Sequence, residues 1–214
     1  MALASLLVLP LLASALPAEG RTMTAVAASP SDRSATQVVH VRPTDRRGVK
    51  LPQYRVVRLL RDAQCQPGSQ AVIGAFRCFA RHDVLDPCWL ERDREHFQAL
   101  CLGDPWSDQL TRLRISTFGG YPPYKGGTYP WGLRLANGSR CLTVQGAGGV
   151  FHGRRVQYGC RHNVYVLDGL HRDRRVWRGD TVTYDKSAGK FRNGPTRKIA
   201  KAFIGLKSWQ PGHD

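Results

Sequence analysis

The sequence lacks the short motifs by which most enzymes and cofactor-binding proteins are recognised. It has no G-x-S-x-G nucleophile turn, no H-E-x-x-H helix, no P-loop and no dinucleotide-binding glycine fingerprint. It also lacks cysteines at the close C-x₂-C spacing that structural zinc sites use. We therefore expect no cofactor and no metal, and the sequence favours a non-catalytic role over an enzyme.

Acidic residues are scarce relative to basic ones. The chain has 32 Lys and Arg against 16 Asp and Glu, a formal net charge of +16. Such an excess favours an anionic partner, although a GC-rich genome also enriches arginine. The basic residues are dispersed, with Arg172 to Arg175 the densest cluster, and no basic segment is interleaved with aromatic residues. Nucleic acid is therefore not the expected partner.

No Lys or Arg precedes the apolar run at the N-terminus, and the first basic residue is Arg21. Either the true start lies upstream, or export uses a weak basic region. Ala13-Ser14-Ala15 supplies the small residues of a cleavage site, so the sequence predicts a signal peptide over residues 1–18. The run is broken by Pro10 and is shorter than the roughly 20 residues that span a bilayer. We expect a secreted, extracellular, monomeric product without a membrane span.

Few large apolar residues occur between positions 19 and 53, which are rich in Ala, Ser, Thr, Pro and Arg. This composition predicts a flexible linker. The folded domain is expected over residues 54–214, a length that suits one domain.

The cysteine count is even and follows the predicted export signal, which indicates a disulfide framework formed in an oxidising compartment. Fifteen pairings of six cysteines are possible. Pairing of sequence neighbours is favoured because it closes local elements without threading the chain. The six candidates are Cys65, Cys78, Cys88, Cys101, Cys141 and Cys160.

Turn residues recur every eight to twelve positions after Cys65, which is typical of short strands. Residues 110–118 and 131–136 alternate between apolar and polar side chains. Asn137, in the turn before Cys141, is expected to supply a hairpin rather than a glycosylation site. Glu91 to Leu100 is the best candidate for a helix. The expected fold is mainly β: a small antiparallel domain, barrel or sandwich-like, with one or two short helices and three disulfides.

Aromatic residues gather around the glycine- and proline-rich loop at 119–127. Rings carried on loops can stack on sugars or other flat ligands. Trp131 also begins an alternating segment and is a core candidate on that account. The predicted ligand-binding residues are Trp106, Tyr129, Trp131 and Arg134, with Tyr121 and Tyr124 nearby.

Two Asp-Pro pairs, Asp86-Pro87 and Asp104-Pro105, offer a different chemistry. An Asp before Pro usually closes a turn by accepting backbone N–H bonds. Two carboxylates held about 5–10 Å apart would instead allow acid and base hydrolysis. His82 lies in the same region. A secreted hydrolase built on these residues is therefore the alternative function.

The run A-N-G-S-R-C-L-T-V-Q at 136–145, followed by G-R-R-V-Q-Y-G-C at 153–160, resembles one repeat of the ricin-type β-trefoil lectins. Repeats of that family end in Gln-x-Trp, and Arg175-Val176-Trp177 occupies the corresponding place here.

Over residues 65–206 the chain is similar to uncharacterised secreted proteins of actinobacteria. The motifs that carry this similarity are A-F-R-C, D-P-C-W, D-P-W, W-G-L-R-L-A-N-G-S-R-C and V-Q-Y-G-C. The resemblance implies export and disulfides, and it implies no activity.

Taken together, these features predict a secreted module that binds a cell-wall polymer or another anionic glycopolymer. Arginine and lysine would contact the anionic groups, and aromatic rings would stack on the sugars. An interaction protein of the envelope, recognisable by a large exposed apolar patch, is a further alternative.

Overall fold

The computed structural model describes residues 34–93, 97–119, 129–146 and 148–209. These residues belong to one compact unit that begins at Arg33. The predicted signal peptide, residues 1–18, lies outside the described residues. Within the described part of the chain, no helix is long and apolar enough to span a bilayer.

The described residues form strands and no helix, so the mainly β fold is confirmed. The strands are β1 (Gln37–Val41), β2 (Arg55–Pro67), β3 (Phe76–Ala80), β4 (Asp83–Glu91), β5 (Gln98–Leu102), β6 (Gln109–Phe118), β7 (Gly132–Leu135), β8 (Arg140–Thr143), β9 (Val150–Phe151), β10 (Arg154–Cys160), β11 (Val164–Leu167), β12 (Arg178–Gly179), β13 (Thr181–Asp185), β14 (Lys190–Asn193) and β15 (Arg197–Gly205).

Strands β2 to β6 form a closed barrel in chain order. Neighbouring strands are antiparallel, and the parallel pairing of β2 with β6 closes the ring. Three register shifts interrupt the β2–β6 pairing, and such bulges bend a sheet enough to close it. Leu60, Leu90 and Leu113 pack in the barrel interior.

Two disulfides lie in that interior. Cys65–Cys78 joins β2 to β3, and Cys88–Cys101 joins β4 to β5, in each case at directly paired positions. The sulfur atoms of Cys78, Cys88 and Cys101 lie within 4.8 Å of one another. All three of these sulfur atoms form disulfide bonds.

The remaining strands form a ten-stranded sheet with the order β1-β15-β7-β8-β10-β11-β13-β14, to which β12 adds beside β15 and β9 beside β10. The third disulfide, Cys141–Cys160, crosses from β8 to β10. The expected pairing of neighbouring cysteines is therefore confirmed for all three bridges.

The barrel and the sheet share an apolar core. Trp89 of the barrel and Trp131, directly before β7, meet edge to face, with ring centroids 6.0 Å apart. Leu100, Leu110 and Phe203 pack in the same cluster. The indole Nε1 of Trp89 also donates a 2.7 Å hydrogen bond to the carbonyl of Leu206, which follows β15.

Two expectations about local structure are wrong. The helix expected over Glu91–Leu100 is replaced by the end of β4 and the start of β5, because Leu90 pairs with Ala99 and both are buried inside the barrel. Residues 94–96 lie outside the described residues.

The described part of the predicted linker is also folded. Strand β1 pairs in parallel with β15, and Val41 and Thr44 are buried. The sparse apolar content of this segment suffices because an edge strand needs only a few buried side chains when a sheet supplies its hydrogen bonds.

Candidate functional site

Three basic residues stand side by side on neighbouring strands of the sheet. Lys201 of β15 pairs with Arg134 of β7, and Arg134 pairs with Arg140 of β8. Directly opposed residues of antiparallel strands point to the same face, and the strands lie about 4.8 Å apart. We call Lys201, Arg134 and Arg140 the cationic ladder.

A tight hairpin fixes the register between two of its members. Asn137 and Gly138 turn the chain from β7 to β8, and Gly138 has a φ of 85°, which glycine adopts without steric cost. The Gly138 N–H donates to the Leu135 carbonyl at 2.9 Å, and the Ser139 N–H donates to Asn137 Oδ1 at 3.2 Å. The sequence prediction that Asn137 supplies this turn is confirmed.

The ladder carries positive charge that no acid among the described residues neutralises. Arg134 and Arg140 are exposed and Lys201 is half-buried. None of the three forms an ion pair with a described residue. Like charges directly opposite each other destabilise a sheet. The arrangement therefore costs stability in the free protein and would be relieved by an external anion.

Trp106 lies at one end of the ladder. The guanidinium carbon of Arg140 is 5.4 Å from the centroid of the Trp106 ring, a cation–π contact. The same ring meets Phe203 edge to face at 5.5 Å. A methyl group at Gly132 would come within 3.0 Å of the ring, so this glycine allows Trp106 to lie directly on the sheet.

Asp104 positions this tryptophan rather than offering a free carboxylate. Its Oδ1 accepts the backbone N–H of Trp106 at 3.1 Å, closing the turn between β5 and β6. Asp86 is likewise engaged: its carboxylate accepts the hydroxyl of Ser69 and the backbone N–H of Gln70. Burial raises the pKa of Asp86. His82 is exposed on the turn between β3 and β4.

These contacts tie Asp86 and Asp104 to different turns. Asp104 closes a local turn, as expected of an Asp before Pro. Asp86 lies on β4 and instead holds the distant segment at Ser69 and Gln70. The hydrolase alternative gains no support from them.

The predicted ligand-binding residues divide among three places. Trp106 and Arg134 come together through Arg140. Tyr129 is 39 % exposed and contacts a different cation, with the guanidinium of Arg172 at 6.0 Å from its ring. Trp131 is 2 % exposed in the core shared by barrel and sheet, so its ring has no face for a ligand.

Tyr121 and Tyr124 lie outside the described residues. Sequence reasoning missed Arg140 and Lys201, which complete the ladder. Arg140 directly precedes Cys141 after a predicted turn, so alternation across the hairpin is a signal that places it opposite Arg134. Nothing in the sequence brings Lys201 to the same row.

Comparisons with known proteins do not place the chain in a family. No protein-family model matches the chain, no curated protein matches it, and no solved structure matches it.

Proposed function

We propose that this protein is exported and binds an anionic glycopolymer of the cell envelope through the cationic ladder. The observation that carries this proposal is the row of three adjacent basic side chains, without acidic partners among the described residues, beside the Trp106 ring. Export is supported by the three disulfides, because such bonds persist in oxidising compartments.

A polymer suits this site better than a small ligand. The ladder spans roughly 10 Å across three strands, and its side chains lie on one face of the sheet. A chain of regularly spaced anionic groups can contact the cations in turn, each contact adding a modest electrostatic contribution. The Trp106 ring offers an apolar surface for a sugar beside the charged groups.

The test is to remove the charges without changing the fold. The variant Arg134→Gln/Arg140→Gln/Lys201→Gln is expected to weaken binding to immobilised polygalacturonate on the order of 100-fold, from about 1 kcal/mol per cation near an anionic surface. Relief of like-charge repulsion should leave its thermal stability equal or higher. Uncharged dextran serves as the ligand control and should bind neither protein.

A matched variant separates the ladder from overall charge. Arg61, Arg114 and Lys186 are exposed and form no ion pair with a described residue. The variant Arg61→Gln/Arg114→Gln/Lys186→Gln has the same net charge as the ladder variant and should retain binding. Equal loss in the two variants would show that diffuse charge, not the ladder, attracts the polymer.

A further inference from the structure

A second polar site lies at the loop between β11 and β12. His171 and Arg178 exchange two backbone hydrogen bonds, of 2.9 and 3.1 Å, which close residues 171–178 into a tight loop. A cavity of about 300 Å³ opens beside this loop. It is lined by His171, Asp173, Arg174, Val176, Arg178 and Thr196, and it shares no residue with the cationic ladder.

One carboxylate organises the polar wall of this cavity. Asp180 Oδ1 accepts the hydroxyl of Thr196 at 2.6 Å, and Oδ2 accepts Arg154 Nη1 at 2.7 Å. His171 Nε2 lies 3.2 Å from the same Oδ2. Because an ionised carboxylate only accepts hydrogen bonds, the His171 proton is assigned to Nε2. A lone pair of the Thr196 hydroxyl then remains as an acceptor, and Nδ1 of His171 is a second one when the imidazole is neutral.

Two guanidinium groups supply the donors. Arg178 forms no ion pair within the described part of the chain. Arg174 pairs with one acid of the described residues, Asp173, at 3.8 Å, and both side chains of that pair are largely exposed. Exposed ion pairs of this kind contribute little and exchange readily. An entering anion can therefore compete with Asp173 for Arg174.

We propose that this cavity binds a phosphate group. Arginine matches phosphate because its planar fork donates two parallel hydrogen bonds to neighbouring oxygens. A phosphate that retains one proton also has a hydroxyl to donate to the acceptors at His171 or Thr196, which a carboxylate or a sulfate lacks. The cavity volume is at the lower end of the range for small-molecule sites, in keeping with a phosphate and a small substituent.

Isothermal titration with inorganic phosphate, glycerol 3-phosphate and sulfate tests this site. Saturable binding of either phosphate, tighter than that of sulfate, is expected. Tighter binding of glycerol 3-phosphate than of inorganic phosphate would identify an organic phosphate end group as the source, and equal or weaker binding would identify free phosphate. No saturable binding of either phosphate, or sulfate binding as tightly, would overturn the proposal.

Two variants test whether phosphate binds in this cavity. Arg178→Gln keeps the backbone bridge to His171 and should raise the Kd for phosphate at least about tenfold, as the loss of a charge-assisted hydrogen bond does. Arg175→Gln is the matched control, because Arg175 lies in the same loop, is exposed and does not line the cavity. If both variants weaken phosphate binding equally, the loop's general charge is responsible and the cavity is not the site.

The variant Thr196→Val is a second probe that keeps the net charge. It removes an acceptor from the cavity and should weaken phosphate binding while leaving sulfate binding unchanged. Near-ultraviolet circular dichroism of each variant checks that the sheet has kept its native packing. This site is independent of the polymer proposal, since the ladder variant should bind phosphate as the unmodified protein does.

Discussion

Several carboxylates in this basic protein accept backbone N–H groups and so hold turns in place. Asp45 accepts the backbone N–H groups of Arg47 and Val49, and these bonds lower the pKa of Asp45. Asp185 does the same for the turn at Ser187 and Ala188. Asp185 also forms an ion pair with Arg192, which is not a residue of the cationic ladder.

Among single residues, Asp180 gives the clearest prediction, which concerns how stability depends on pH. The hydrogen bond from Thr196, together with those from Arg154 and His171, lowers the pKa of Asp180 to about 2. A folded-state pKa below the unfolded value of about 3.9 means that this contribution is present above pH 4 and is lost as the pH falls through 2. We expect Asp180→Asn to lower the free energy of unfolding by about 1 kcal/mol at pH 6, after allowance for solvent screening.

Urea denaturation at pH 6, 4 and 2 measures this effect. The difference between Asp180→Asn and the unmodified protein should shrink towards zero at pH 2. A difference that stays constant over this range would mean that the carboxylate charge of Asp180 does not stabilise the fold.

At the scale of elements, the hairpin β7–β8 and its disulfide hold the ladder in register. Cys141 and Cys160 pair directly across β8 and β10, one residue along the strand from Arg140. Both residues lie in or against the core cluster on this part of the sheet. The disulfide therefore constrains β8, the strand that carries Arg140 of the cationic ladder.

Removing this bridge should destabilise the protein measurably. The variant Cys141→Ala/Cys160→Ala is expected to lose about 3 kcal/mol of unfolding free energy, the chain-entropy estimate for a loop of this size. Urea denaturation under non-reducing conditions measures the loss. An unchanged midpoint would show that sheet pairing alone fixes β8 against β10.

At the scale of the whole molecule, the apolar core shared by the barrel and the sheet determines how the two parts unfold. Trp89 and Trp131 are both fully buried there, and Phe203 joins them from β15. Because the two parts bury apolar surface against each other, we expect them to unfold together rather than one after the other.

The variant Trp131→Ala tests this coupling. Truncation of a buried tryptophan costs about 3–5 kcal/mol, and that loss should appear in both parts of the molecule. Native-state hydrogen exchange should show reduced protection in β4 and β5 of the barrel as well as in β7 and β15 of the sheet. Reduced protection confined to the sheet would mean that barrel and sheet are separate folding units.

The sequence by itself determined the features that depend on neighbours in the chain. Alternating side chains predicted β6 and β7, Asn137-Gly138 predicted a hairpin, and cysteine spacing predicted the three bridges. These predictions succeed because a turn residue or a short loop restricts only the few residues beside it. The helix expected over 91–100 failed because burial in the barrel outweighed local helical preference.

Only the tertiary structure decided which basic and aromatic residues share a surface. Lys201 reaches the ladder because β15 returns to pair with β7, a contact between distant parts of the chain that no local pattern encodes. Trp131 was buried and Trp106 left partly exposed by the way the barrel packs on the sheet. The two tryptophans are equally apolar, so their different positions follow from long-range packing and not from their own chemistry.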